Sequence, residues 1–152
     1  MTKKYHVLKD VLLPIEHIPD PFFIPQELFS KWEFVKGAKA IHKVNKKTGQ
    51  AYIFKEGKVP FPDDINKPAR TIVTTEGGQY VAREKHVIIQ KGRYRRLHPI
   101  ELERLNGFPD DFTKCEGILE SQRAFFMGNA LVIGVVKRLG QELSNAVSQH
   151  KK

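Results

Sequence analysis

The spacing of hydrophobic and polar positions changes several times along the chain, and each change marks an expected element. Residues 7–24 have no regular period, because Pro14, Pro19, Pro21 and Pro25 interrupt any hydrogen-bonded run, so an irregular opening is expected. From Pro25 onward Leu28, Phe29, Trp32 and Val35 recur at helical spacing and Gly37 closes the run, which predicts a helix. Ile41 and Val44 stand on one side of a polar turn at 45–49, with Tyr52, Ile53 and Phe54 on the other, the pattern of a hairpin. Two β-branched runs follow, TIVTT at 71–75 and HVIIQ at 86–90, and both read as strands. Between them lies EGGQYVAREK. Its paired Gly77 and Gly78 read either as a simple hairpin turn or as a loop whose backbone approaches something flat or charged.

The best-bounded element comes next. Pro99 suits a first helical turn, and Glu101 stands where a carboxylate reaches back to the open N-terminus. Leu97 and Leu102 bracket the start as a hydrophobic staple, and Asn106-Gly107 ahead of Phe108-Pro109 provides a stop. A short helix over 99–105 is therefore expected, preceded by a basic corner of Arg93, Arg95 and Arg96. SQRAFFMG reads as a short turn of helix ending at Gly128, with Phe125 and Phe126 as core. Asn129 then reads as the N-cap of a C-terminal helix over 129–147, in which Val132, Val135, Val136, Leu139, Leu143, Ala146 and Val147 form an apolar stripe. The expected class is α+β. A mixed strand and loop lobe over 1–91 precedes a helical segment over 92–152.

Composition narrows the partners. One domain, or one lobe plus an appendage, is the expectation for 152 residues, and 26 Lys and Arg against 17 Asp and Glu leave a formal +9 that favours a polyanion. The hairpin tip carries Lys43, Lys46 and Lys47, which read equally as a solvated loop or as phosphate contacts. A single Cys115 excludes a disulfide framework and fits a reducing compartment. The longest late apolar run, 130–136, is far too short to span a membrane and contains Gly134, so a soluble, cytoplasmic protein is expected. No metal site is expected, since the six His show no ligand spacing, and there is no phosphate-binding glycine loop. Cys115 has no neighbouring His to activate it. These are the features of a binder without a catalytic engine.

RYRRLHPIELERLNGFPDDF followed by RAFFMGNALVIGVVKRLG resembles the last two sequence motifs of the DNA cytosine-5 methyltransferases. PARTIVTTEGG and REKHVI upstream resemble the end of that family's target-recognition region. The likeness is close over 67–143 and looser through VLLP, FFIPQELFSKW and FPDD. His98 departs from it, standing where many members have Thr before the Pro. A larger departure is the lack of a cofactor-binding glycine loop, a Pro-Cys dipeptide, a Glu-Asn-Val segment and a Gln-x-Arg-x-Arg run.

The resemblance therefore implies the small, DNA-recognition subunit of a split methyltransferase, within a restriction-modification system. A larger partner chain would supply a Cys thiolate to C6, a Glu to N3, and the S-adenosylmethionine site. This chain would bind double-stranded DNA, with Thr71 on a phosphate near the displaced base. Thr74, Thr75, Gly77 and Gly78 would form a groove-facing loop, flanked by Arg83 and Lys85. The C-terminal helix would dock on the partner's Rossmann-like methyltransferase domain, with Asn129, Gly128 and Ala130 bordering S-adenosylmethionine. Arg93, Arg95 and Arg96 read either as phosphate contacts or as structural residues that fix the recognition region. The alternative reading is a truncated methylase remnant acting as a non-catalytic DNA-binding module.

Overall fold

Proline keeps the opening of the chain out of regular structure, and short 3-10 turns take its place. In a computed structural model, which describes residues 7–78 and 80–149, these turns lie at Leu8–Val11, Ile15–His17, Asp20–Phe22 and Gln26–Leu28. Helix α1 (Phe29–Lys36) follows, ended by Gly37, and buries Trp32 and Lys36. Strands β1 (Lys39–Val44) and β2 (Ala51–Glu56) form the expected antiparallel hairpin, a two-stranded sheet of their own.

The run at 71–75 is not a strand. Residues 71–73 belong to no strand among the described residues, and Thr74–Glu76 is a 3-10 turn. The paired glycines therefore do not join two strands. The second hairpin lies later in the chain: β3 (Val87–Gln90) pairs antiparallel with β4 (Arg93–Arg96), a strand the sequence reading missed. Lys91 and Gly92 link them with φ of 46° and 76°, the left-handed pair that a two-residue hairpin turn requires. The irregular opening adds a bridge between Phe23 and Arg95 on the free side of β4.

Helix α2 (Pro99–Asn106) forms as its caps dictate. His98 is the N-cap, Glu101 accepts from the His98 N–H at 2.8 Å, and Gly107 takes φ 82° at the C-terminus. Leu97 and Leu102 are buried together with Leu8, Val11, Ile88, Ala124 and Met127 in the main core. Ile24, Trp32 and Val87 form a second cluster beneath α1.

The end of the chain differs from expectation. Asn129 is not an N-cap. It is the last residue of α3 (Glu120–Asn129), and α4 (Ile133–Gln149) begins four residues later. Phe125 and Phe126 are not core either, at 46% and 41% exposed; α3 turns Arg123, Ala124 and Met127 inward instead. No residue of α4 is buried, so its stripe, from Val135 through Leu139 and Leu143 to Val147, is open to solvent.

Candidate nucleic-acid interface

The segment 70–78 and helix α3 cross with almost nothing between their backbones. A Cβ on Gly128 would lie 2.3 Å from the Thr74 nitrogen, and one on Gly77 would lie 2.5 Å from the Ser121 carbonyl oxygen. Only glycine permits that approach from either side. Gly128 is therefore committed to packing against residues 73–74. Asn129 is exposed, and its amide makes no hydrogen bond among the described residues. A cleft of about 430 Å³ opens beside this crossing, lined by Arg70, Thr71, Ile72, Asn106, Ala130 and Val132 among others. Thr71 and Ala130, given different tasks by the sequence reading, thus face the same space.

The loop beyond Thr74 rests on buried charges. Glu76 accepts from the His86 N–H at 3.0 Å, and its Oε1 lies 2.6 Å from His86 Nδ1. Lys85 is wholly buried, and its ammonium donates to the carbonyls of Gly78 at 2.8 Å and Tyr80 at 2.7 Å. Burial, reinforced by the Arg96 guanidinium, lowers the Lys85 pKa to about 8. Arg96 donates to the Gly78 carbonyl at 2.7 Å and to that of Pro21 at 2.7 Å. Gly78 itself needs its glycine: φ is 77°, and a Cβ would strike the Tyr80 ring. Thr74 and Thr75 are half-buried, and the Thr75 hydroxyl oxygen is enclosed without a partner among the described residues.

Lys85 and Arg83, expected beside the loop on DNA, both hold backbone carbonyls of the chain itself. Lys85 serves the loop backbone from inside. Arg83 ties the hairpin base to α1, donating to the carbonyls of Val35 at 3.1 Å, Gly37 at 3.0 Å and Gly57, with Glu56 at 3.8 Å. The cause in both cases is a surplus of turn carbonyls that need donors. The basic corner divides likewise. Arg95 is wholly buried in a two-pronged pair with Glu101 at 2.7 and 2.8 Å. Arg96 is spent on carbonyls, and exposed Arg93 lies over the Phe23 ring at 3.5 Å.

One organising residue was missed altogether. Arg123, buried on α3, reaches Glu103 of α2 at 3.1 Å, Asp111 at 2.9 Å and Glu120 at 3.1 Å. It locks α2, the 108–113 loop and α3 into one body. Only its pairing with Glu120, three residues away, is local; Asp111 and Glu103 lie 12 and 20 residues away.

What emerges is a basic lobe, rigidly braced from within, that offers a loop, a cleft and an uncovered apolar helix to other molecules. The family model of the C-5 cytosine-specific DNA methylases matches residues 6–145, and the chain belongs to that family. The chain is also 39% identical over 127 residues to the type II methyltransferase M.Sau3AI of Staphylococcus aureus. That match takes in 84% of this chain but 30% of the relative, so the chain spans less than a third of that relative's length.

Proposed function

We propose that this chain is the DNA-recognition part of a cytosine-5 DNA methyltransferase in a restriction-modification system, acting with a larger catalytic subunit. The observation that carries the reading is the cleft at the glycine crossing, where Thr71 and Ala130 line one space beside exposed Asn129. Methylating a cytosine in a duplex requires the base to leave the stack and be enclosed. That needs a surface that grips DNA joined rigidly to one that borders the reacting site. The 152 residues carry no Pro-Cys dipeptide or Glu-Asn-Val segment, so nucleophile and acid come from outside them, on a separate subunit in this proposal.

In the assembly, Thr71 hydrogen-bonds a phosphate, and the loop from Thr74 to Gly78 faces the groove, held at its base by Lys85 and Arg96. S-adenosylmethionine, held mainly by the catalytic subunit, supplies the methyl group. Asn129 fits a place at its edge, because its amide is exposed and unengaged among the described residues, and Ala130 fits beside it; Gly128 acts through close packing. The uncovered face of α4, continued by Phe125 and Phe126, fits burial against the catalytic subunit.

Co-expression with a catalytic half of the same family, followed by transfer of labelled methyl to DNA, tests the proposal. Transfer by the mixture and by neither part alone is expected. Within the complex, Thr71→Ala lowers DNA affinity about tenfold, the worth of one hydrogen bond to a charged group. Asn129→Ala instead raises KM for the methyl donor and leaves DNA affinity unchanged. A change in DNA affinity alone for Asn129→Ala contradicts its assignment to the donor.

A further inference from the structure

Helix α3 ends without the left-handed residue that often closes a helix. Ala130 leaves it extended, with φ −76° and ψ 150°, so the carbonyls of the last turn depend on other partners. The Ala130 N–H donates to the Met127 carbonyl at 3.3 Å. A second donor comes from α2. Asn106 Nδ2 donates to the same carbonyl at 3.0 Å and lies 3.7 Å from the Met127 sulfur.

Asn106 is itself firmly held. It is the last residue of α2 and is 4% exposed. The turn behind it is closed by the Gly107 N–H on the Arg104 carbonyl at 3.0 Å and the Phe108 N–H on the Glu103 carbonyl at 2.9 Å. Glu103 stands one turn earlier on the same face of α2, and it grips Arg123, one turn earlier than Met127 on α3. Two rungs a turn apart therefore join the helices, Glu103 to Arg123 and Asn106 to Met127. The first is an ion pair that Asp111 and Glu120 share, and it fixes the body of α3. The second is one neutral hydrogen bond, and Gly128 and Asn129 complete the helix beyond it. Asn106 also lines the cleft that Thr71 and Ala130 share.

We propose that Asn106 is a positioning residue for the methyl donor: its bond to the Met127 carbonyl holds the last turn of α3 so that the Asn129 amide stands ready at the donor's edge. The inference deepens the reading of Asn129 as a donor contact and rests on it. Helix ends fray, and a side chain on a frayed turn must be ordered when its ligand arrives, which weakens binding. A hydrogen bond from a buried partner removes that cost before the donor binds. Asn106 touches no donor atom in this scheme and acts through Met127.

The test uses the co-expressed complex, with equilibrium binding of labelled S-adenosylmethionine and of duplex DNA measured separately. Asn106→Ala is expected to weaken donor binding about fivefold, the net worth of one hydrogen bond, and to leave duplex affinity measured without donor unchanged. Hydrogen exchange is expected to quicken from Met127 to Ala130 and not from Glu120 to Ala124. Asn106→Asp keeps the side-chain shape, and its carboxyl can donate to the Met127 carbonyl once protonated. Burial raises a carboxyl's pKa, so lowering the pH from about 8 to about 6 is expected to return this variant's donor affinity towards wild type. The charges around it, Arg70, Arg104 and the Glu103–Arg123 pair, are all bonded to opposite charges. Asn106→Ala shows no such recovery, and it decides the question alone if Asn106→Asp does not fold. If Asn129→Ala leaves donor binding unchanged, the placement of Asn129 falls and this inference with it. If Asn129→Ala weakens donor binding and Asn106→Ala does not, the role of Asn106 alone falls. Equal losses of donor and duplex binding, with faster exchange throughout, would make Asn106 an ordinary structural residue and overturn the proposal.

Discussion

At the scale of single residues, the interior of this chain is built on charge. Glu101 accepts from the Leu13 N–H at 2.8 Å, the His98 N–H at 2.8 Å and both prongs of Arg95. Replacing it strands a buried guanidinium and two backbone donors, so Glu101→Ala is expected to cost about 3–5 kcal/mol, measured by urea unfolding. The sequence made Glu101 legible as a capping residue but not as the partner of Arg95, because capping is local and ion pairing is not. The carbonyl partners of Arg83 and Lys85 were not legible for a related reason: positive charge next to a loop indicates neither which way the side chain turns nor which carbonyls need it. His98 gives a pH signature. Burial lowers its pKa below the usual 6.5, opposed by Glu120 and Glu101 and assisted by Arg123 and Arg95. Between the folded value and 6.5 the unfolded chain binds the proton more readily, so this contribution is complete above pH 6.5 and lost as pH falls. The Tm of wild type is expected to drop more steeply between pH 7 and pH 5 than that of His98→Asn, which can still accept at the N-cap.

At the scale of elements, propensity and spacing succeeded where local hydrogen bonds decide the outcome. The first hairpin, α1 and α2 all lie close to where turns, caps and periodicity put them. They failed where tertiary contact decides. The β-branched run at 71–75 has every local feature of a strand, yet its backbone lies against α3, and Gly77 and Gly128 leave no room for the spacing a sheet partner requires. The same contact explains α3, which extends through Asn129 because Gly128 is needed inside the helix rather than after it. Gly128→Ala is accordingly expected to cost about 3 kcal/mol as overpacking, seen as a Tm about 10 °C lower for a chain of this size. Gly134→Ala is the control. Its Cβ enters open space, and it is expected to stabilise α4 by up to about 1 kcal/mol.

At the scale of the whole molecule, the formal +9 is a poor map of the surface. Lys36, Lys85, Arg95 and Arg123 are buried, which leaves the first hairpin as a concentrated basic feature. Helix α4 is the counterpart in apolarity, and its 3.6-residue stripe was legible because periodicity survives without a partner. What covers it was not, since periodicity identifies a buried face but not its owner. Left alone, the chain is expected to self-associate through that face. Sedimentation velocity should show Leu139→Glu/Leu143→Glu shifted to monomer with its circular dichroism unchanged; a wild-type chain that is already monomeric and melts sharply would contradict this. The glycine crossing has one further consequence. With no side chain at Gly77 or Gly128 to absorb a displacement, a ligand that shifted the end of α3 would carry the loop with it. Linkage is reciprocal, so a duplex that favoured one setting of the loop would return the same free energy at Asn129. In the proposed assembly, two glycines would then couple the strength of DNA binding to the strength of donor binding.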